Sequence, residues 1–220
     1  MKAHYKFVGL ATNAAFIAVS TLWFRPELFN RPSFWAVIGI ATLLCEADLA
    51  REEKTSELDC LPDLNPVLLL CHLTGLAVFL VWWSAIAFAS SDEAFRLLIG
   101  ILIATVGTVV RRRAVVSLGD AFISDVRPRP EVVKLKTSGV YARVRHPSEL
   151  GLLLASLGAG FATGAAPSLA VSLAVLLPLS YMRVRIEERN LRDEFGKTYV
   201  DYEKRTGRFL PRLWREMGAS

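Results

Sequence analysis

The stretch that decides the fold is residues 150–182, LGLLLASLGAGFATGAAPSLAVSLAVLLPLSYM, which contains no charged residue. About 20 apolar residues suffice for one helix to cross a bilayer, so this run is too long for a single typical span. Four residues that favour turns interrupt it midway, namely Gly158, Gly160, Gly164 and Pro167. The run therefore predicts a helical hairpin with arms at residues 149–163 and 168–189.

Each arm of this hairpin is short for a membrane span. About 15 apolar residues rise about 22 Å at 1.5 Å per residue, whereas the hydrocarbon core is about 30 Å thick. We therefore expect the hairpin to sit in a thinned bilayer or to pack mainly against protein. Pro178 lies inside the second arm and is expected to kink it, because proline removes a helical hydrogen bond.

The rest of the chain holds two more long runs without charge, residues 7–24 and 64–91. Of the 220 residues, 53% are hydrophobic and 21% are charged, and this distribution excludes an ordinary soluble enzyme. Four spans are predicted before the hairpin, at residues 6–24, 33–49, 66–90 and 94–110. The expected fold class is an all-α integral membrane protein: about four transmembrane helices, a helical hairpin and a cytoplasmic C-terminal amphipathic helix.

The first of these spans is expected to be a membrane helix rather than a cleaved signal peptide. Trp23, Phe24 and Arg25 follow it, where a cleavage site needs small residues.

Charge predicts the orientation in the membrane. Nine Lys and Arg side chains lie between positions 111 and 146, against three acids. Since Lys and Arg are enriched in cytoplasmic loops, this segment, both termini and the bases of the hairpin are predicted to face the cytoplasm, with Arg25 and Arg31 as contrary charges. The net charge of +5 then needs no nucleic-acid partner. Cys45, Cys60 and Cys71 have no metal-binding spacing, so no metal site is predicted.

Two polar segments frame the hairpin, residues 138–149 before it and 183–188 after it. Because a hairpin returns to the side from which it started, the two segments are expected to lie close together. Arg183 and Glu187 are four residues apart, so they project from one helix face and are expected to face the bundle. The plain alternative is an ion pair that only anchors the helix. That role of anchoring and solubility is assigned to Arg185, Glu188, Arg189 and Arg192.

The first polar segment has good signals for a helix start. Pro147 suits the first helical position, which puts His146 near the N-cap. Ser148 and Glu149 then fall in the first turn, where free backbone N–H groups favour an acceptor or an anion. The plain alternative is a loop that enters a helix, with Arg145 reaching up to lipid phosphate.

The tail carries one apolar stripe at helical spacing, made of Leu191, Phe195, Tyr199 and Tyr202. Gly196 is expected to break this helix, and Thr206 with Gly207 to end it. The alternative is an interfacial helix that only anchors.

Several of these pieces stand in a specific order: Thr137-Ser138-Gly139-Val140-Tyr141, Arg145-His146-Pro147-Ser148, Arg183, Glu187-Glu188, Phe195-Gly196, Tyr199, Tyr202 and Pro211. Together they resemble the isoprenylcysteine carboxyl methyltransferase family, over roughly residues 118–211. The resemblance implies an integral-membrane enzyme that moves a methyl group from S-adenosylmethionine to an isoprenylated or other lipid-like acceptor. It divides the chain into N-terminal transmembrane helices, residues 1–110, and a methyltransferase core, residues 111–220.

The resemblance also implies roles for particular residues. Arg183 is the expected catalytic residue, which holds the carboxylate of the acceptor. The expected cofactor-binding residues are Leu135 and Lys136 through their backbone, with Tyr141, His146, Pro147, Ser148, Glu149 and Glu187.

Two positions depart from the family pattern. Glu149 stands where the family usually has Tyr, and Val133 stands where it usually has His. Glu149 is open to three interpretations, since it can attract the sulfonium of the cofactor, bind a ribose hydroxyl or pair with Arg183.

The acceptor is open as well. A carboxylate is already ionised at pH 7 and needs no general base. An amine or thiol acceptor would be helped by a base, for which Glu149 or His146 are the candidates.

Two functions compete with methyl transfer. One is that of an NADPH-dependent membrane enzyme similar to sterol reductases. The second is that of a scaffold without catalytic activity or of a small transporter. The lack of a visible inverted repeat in the sequence disfavours the transporter.

Overall fold

The computed structural model describes residue 19 and residues 25–41, 66–90, 93–118 and 135–212. Apart from Val19, the predicted first span lies outside these residues, as do the end of the second span, Val133, Cys45 and Cys60. Within the described ranges the regular structure is helical, with a single isolated β-bridge between Val144 and Gly207.

Five α-helices make up the described fold: α1 Pro32–Ala41, α2 Pro66–Ala87, α3 Ala94–Leu118, α4 Pro147–Thr163 and α5 Ala166–Arg205. Two short 3₁₀ turns accompany them, Pro26–Asn30 before α1 and Gly139–Ala142 before α4. Of these helices, α3 and α5 are long and apolar enough to cross a membrane.

The predicted hairpin is present as α4 and α5. Its turn falls at Gly164, which caps α4 in the left-handed conformation with φ of 67°. A π-helical turn, Ser172–Leu176, directly precedes Pro178 in α5. Such a turn absorbs the helical hydrogen bond that Pro178 removes, so the expected disturbance of this arm takes the form of a widened turn. Further along, Gly196 interrupts α5 with non-helical angles, φ 51° and ψ −126°.

Helices α3 and α4 pack antiparallel along a seam of small residues spaced by seven. A Cβ built on Gly107 would stand 2.5 Å from the backbone nitrogen of Ala155, and one on Gly158 would stand 2.5 Å from that of Ala104. Only glycine permits such an approach, which is how helices pack closely where lipid gives no hydrophobic drive. Gly151 lies nearest the start of α4, against the backbone of Arg111.

The fourth predicted span ends too early. It is predicted to stop at Val110, but α3 continues to Leu118 because the arginines that follow are good helix formers. The prediction that Arg111 belongs to the polar loop is wrong, since Arg111 is buried within α3. Its guanidinium contacts Ser148 in the first turn of α4, so Arg111 is part of the site described next.

Candidate functional site

The site forms where the start of α4 meets the middle of α5, at residues 183–188. Just beyond α5, the tail pairs with the loop before α4: the backbone N–H of Arg145 donates to the carbonyl of Gly207 (2.8 Å), and that of His146 donates to the carbonyl of Arg208 (3.0 Å). The two polar segments that frame the hairpin are therefore close in space, as their topology predicts.

Glu188 is the centre of this site. Its side chain is completely buried on α5. The guanidinium of Arg145 donates to its Oε1 (3.1 Å), and Arg208 donates through Nε to both oxygens (3.1 Å each). The Nε2 atom of His146 lies 3.3 Å from the same carboxylate. The expectation that Glu188 serves only anchoring and solubility is wrong, because Glu188 is a buried carboxylate with four cationic partners, Arg145, His146, Arg192 and Arg208, and it holds the loop, helix and tail together.

Arg145 is also turned inward. Besides Glu188, its Nη1 donates to the backbone carbonyls of Glu203 (3.1 Å) and Thr206 (2.5 Å). Only 8% of its side chain is exposed, so the alternative in which it reaches lipid phosphate is wrong.

His146 is the N-cap of α4 and is buried between two carboxylates. Its Nδ1 atom lies 3.5 Å from Oε2 of Glu187, opposite the Glu188 contact of Nε2. Burial alone would lower the pKa of His146, but the negative charges of Glu187 and Glu188 outweigh burial and raise that pKa to about 9. The imidazole is therefore a cation at neutral pH.

This raised pKa predicts a pH-dependent stability. The contribution of charged His146 is complete below the unfolded pKa of about 6.5 and is lost as pH rises through about 9. The melting temperature in detergent is expected to fall across this window for the wild type, and less steeply for His146→Gln. The two curves should lie furthest apart near pH 6.5 and converge above pH 9. Parallel curves would show that His146 does not titrate between these carboxylates.

Glu149 and Arg183 form the second contact across the base of the hairpin. Nη1 of Arg183 lies 3.5 Å from Oε1 of Glu149, so pairing with Arg183 is the interpretation of Glu149 that the structure displays. Both side chains are largely buried, with 9% of Glu149 and 16% of Arg183 exposed. The other carboxylate oxygen of Glu149 is buried and has no hydrogen-bond partner among the described residues. A buried acceptor in this state is a place for a donor from a ligand.

The remaining predicted residues surround these two contacts. Ser148 is buried and accepts a hydrogen bond from Nη1 of Arg111 at its Oγ (3.0 Å). The phenol of buried Tyr141 donates to the carbonyl of Ala114 (3.4 Å). Pro147, next to Ser148, is the first residue of α4. Leu135 and Lys136 lie at the start of the described loop, half-buried and exposed respectively.

Sequence reasoning assigned no site role to five residues that the structure places here: Arg111, Arg145, Glu188, Tyr202 and Arg208. Tyr202 donates from its hydroxyl to the carbonyl of Tyr141 (2.7 Å), which ties the last turns of α5 to the loop. The signal available for Glu188 was its place beside Glu187, but adjacent helical residues point about 100° apart and the sequence does not say which one faces inward. Arg208 lies in the tail, and no sequence pattern links it to α5.

Comparison with known proteins finds similarity to several methyltransferases. Residues 95–198 match the family model described as phospholipid methyltransferase. The protein-S-isoprenylcysteine O-methyltransferase B of Arabidopsis thaliana is 32% identical over 114 residues, which are 51% of this chain and 57% of that protein. The protein-S-isoprenylcysteine O-methyltransferase of Saccharomyces cerevisiae is 31% identical over 115 residues, 51% of this chain and 48% of that protein. The chain thus matches only about half the length of these relatives.

Two further similarities extend the comparison. The methanethiol S-methyltransferase 2 of Bradyrhizobium diazoefficiens is 32% identical over 155 residues, 64% of this chain and 58% of that protein. In fold, the chain is similar to a solved structure of the eukaryotic intramembrane Ras methyltransferase, isoprenylcysteine carboxyl methyltransferase. The TM-score is 0.56 at 22% identity, and the similarity covers 91% of this chain and 75% of that one.

Proposed function

We propose that the protein is a membrane-embedded methyltransferase. Residues 95–198 match the family model described as phospholipid methyltransferase, and about half of the chain is similar to protein-S-isoprenylcysteine O-methyltransferases. The proposed enzyme moves a methyl group from S-adenosylmethionine to a lipid-like acceptor, and the carboxylate of an isoprenylcysteine is the first acceptor to test. The observation that carries the proposal is the meeting of Glu149 with Arg183, and of His146 with Glu187, at the base of one helical hairpin.

The acceptor groups of this site fit S-adenosylmethionine, which bears an ammonium group, ribose hydroxyls and a sulfonium charge. Glu187 keeps 40% of its side chain exposed beside His146, and Glu149 has a buried oxygen without a hydrogen-bond partner among the described residues. Both are acceptors suited to a cation or a hydroxyl. The residues that would hold the cofactor are the predicted ones: Leu135, Lys136, Tyr141, His146, Pro147, Ser148, Glu149 and Glu187.

Arg183 suits the acceptor because its planar guanidinium binds a carboxylate through two hydrogen bonds. When bound, the cofactor supplies a methyl group that is open to in-line displacement. The chain's own part is to align the acceptor oxygen and to exclude water, and orientation of this kind contributes up to about 7–11 kcal/mol to a bimolecular reaction. No general base is needed for a carboxylate, because it is ionised at pH 7.

The membrane arrangement follows from the same proposal. We place the site and both termini on the cytoplasmic side, since the basic residues between positions 111 and 146 favour that side. The chain keeps its division into an N-terminal region and a methyltransferase core, but the boundary moves from residue 110 to the start of α3, because α3 is one helix and the family match begins at residue 95. The apolar part of the acceptor enters between helices at the membrane edge, next to the base of the hairpin.

A thiol is the second candidate acceptor, because a methanethiol S-methyltransferase shares 32% identity over 155 residues of this chain. A thiol must lose its proton during transfer, and Glu149 is the nearest candidate base to Arg183.

Cofactor binding tests the proposal without any knowledge of the acceptor. The purified protein in detergent is expected to melt several degrees higher with S-adenosylhomocysteine, since a ligand at about 100 times its Kd stabilises by about 2.7 kcal/mol. NADPH at the same concentration is expected to have no effect. A shift with NADPH alone would favour a reductase instead.

A further inference from the structure

The ion pair between Glu149 and Arg183 has a consequence for the choice of acceptor. Arg183 is the residue that the proposed function assigns to the acceptor carboxylate, yet it already contacts a carboxylate of this same chain. Both groups are largely buried, so the charge of Arg183 is offset by Glu149 before any acceptor arrives. A second carboxylate has to share or replace this contact.

The contact is of a kind that another carboxylate can displace. Glu149 meets Arg183 through one oxygen at 3.5 Å, which is long for a charge-assisted hydrogen bond, and its other oxygen has no hydrogen-bond partner among the described residues. A free carboxylate that presents both oxygens to the guanidinium makes two bonds where Glu149 makes one long contact.

We propose that Glu149 competes with the acceptor carboxylate for Arg183 and so raises the KM of every carboxylate acceptor by a similar factor, which leaves well bound only those acceptors whose long apolar chain supplies further binding. Binding of the carboxylate alone is weakened by the cost of displacing Glu149. Burial of a long hydrocarbon chain between apolar helices offsets that cost, whereas a short acceptor has nothing to offset it. The inference rests on the proposed function, because it assumes that Arg183 receives a carboxylate.

Steady-state kinetics with two acceptors tests this inference. N-acetyl-S-farnesylcysteine and N-acetyl-S-butylcysteine carry the same carboxylate on apolar groups of different length. In Glu149→Gln, the KM for both acceptors, measured at saturating S-adenosylmethionine, is expected to fall at least about fivefold, because the amide is neutral and no longer competes. Glu149→Asp keeps the charge, so its KM for both acceptors is expected to lie above that of Glu149→Gln.

A matched control removes one acid from the exposed part of α5. Asp201 pairs with Lys204 at the surface, with 46% and 70% of the two side chains exposed, so Asp201→Asn is expected to leave both KM values unchanged. Glu149→Gln leaves the buried Arg183 beside a neutral amide instead of a carboxylate. Glu149→Tyr therefore serves as a second neutral variant. The melting temperature of both variants in detergent is compared with that of the wild type.

The outcomes separate the inference from the proposed function. Lower KM values in the neutral variants support the competition. A wild type that methylates these carboxylates, with unchanged or higher KM values in Glu149→Gln and Glu149→Tyr, overturns the inference alone. A wild type that methylates a thiol such as methanethiol but neither carboxylate overturns the inference together with the carboxylate acceptor. A thiol activity that loses kcat in Glu149→Gln would instead identify Glu149 as a base.

Discussion

Replacing Glu188 by alanine is expected to unfold the junction between the loop, α5 and the tail. The substitution leaves Arg145, His146 and Arg208 buried or half-buried without the carboxylate that now lies among them. Removing one partner of a buried ion pair typically costs about 3–5 kcal/mol, because the remaining charge is left uncompensated. The melting temperature in detergent is therefore expected to fall by about 10 °C or more, with earlier proteolysis of the tail after Arg205.

The matched control is Asp201→Ala, which removes an acid of the same helix from an exposed pair with Lys204. Exposed pairs contribute about 0–1 kcal/mol, so this variant is expected to melt within a few degrees of the wild type. Glu188→Gln keeps the shape of the side chain and is expected to fall between the two. If Glu188→Ala melts like Asp201→Ala, the buried network does not hold this junction.

Replacing Arg183 by alanine is expected to abolish methyl transfer while leaving cofactor binding largely intact. In the proposed mechanism this side chain alone orients the acceptor carboxylate, so kcat/KM is expected to fall at least about a hundredfold, or about 2.7 kcal/mol. Arg183→Lys keeps the charge but loses the planar guanidinium that binds a carboxylate through two hydrogen bonds, and is expected to lose activity as well. Methyl transfer is measured with labelled S-adenosylmethionine, and cofactor affinity by titration with S-adenosylhomocysteine.

Arg183→Ala also leaves Glu149 buried without its cation, so the stability of this variant needs its own control. The double variant Arg183→Ala with Glu149→Gln removes that buried charge and is expected to be as inactive as the single variant but more stable. Arg189→Ala, which removes an exposed arginine of the same helix, is expected to retain activity. Loss of cofactor binding in Arg183→Ala would place Arg183 in the cofactor pocket instead.

Much of the fold was accessible from the sequence because its strongest signals are local. The charge-free run and its central glycines predict the hairpin, and the structure places the turn at Gly164. Topology alone then predicts that the segments on either side of the hairpin meet. The structure shows this proximity in the contacts of His146 with Glu187 and of Glu149 with Arg183.

What the sequence did not reveal depends on long-range packing. Glu187 and Glu188 are equivalent in type and position, and only the arrival of Arg145 from the loop and Arg208 from the tail distinguishes the buried one. Arg111 looked like a loop residue because a run of arginines usually ends a membrane span. Its burial depends on the close approach of α3 and α4, which places the Ser148 hydroxyl within reach of its guanidinium.

The central claim is that this chain transfers methyl groups, and methyl transfer itself tests that claim most directly. Purified protein in lipid nanodiscs is incubated with methyl-labelled S-adenosylmethionine and N-acetyl-S-farnesylcysteine, with Arg183→Ala as the inactive control. We expect label in the acceptor as a base-labile ester, released as methanol by alkali, for the wild type and not for the control. No transfer to this carboxylate or to methanethiol, from protein that is folded as judged by a cooperative melting transition, would contradict the account.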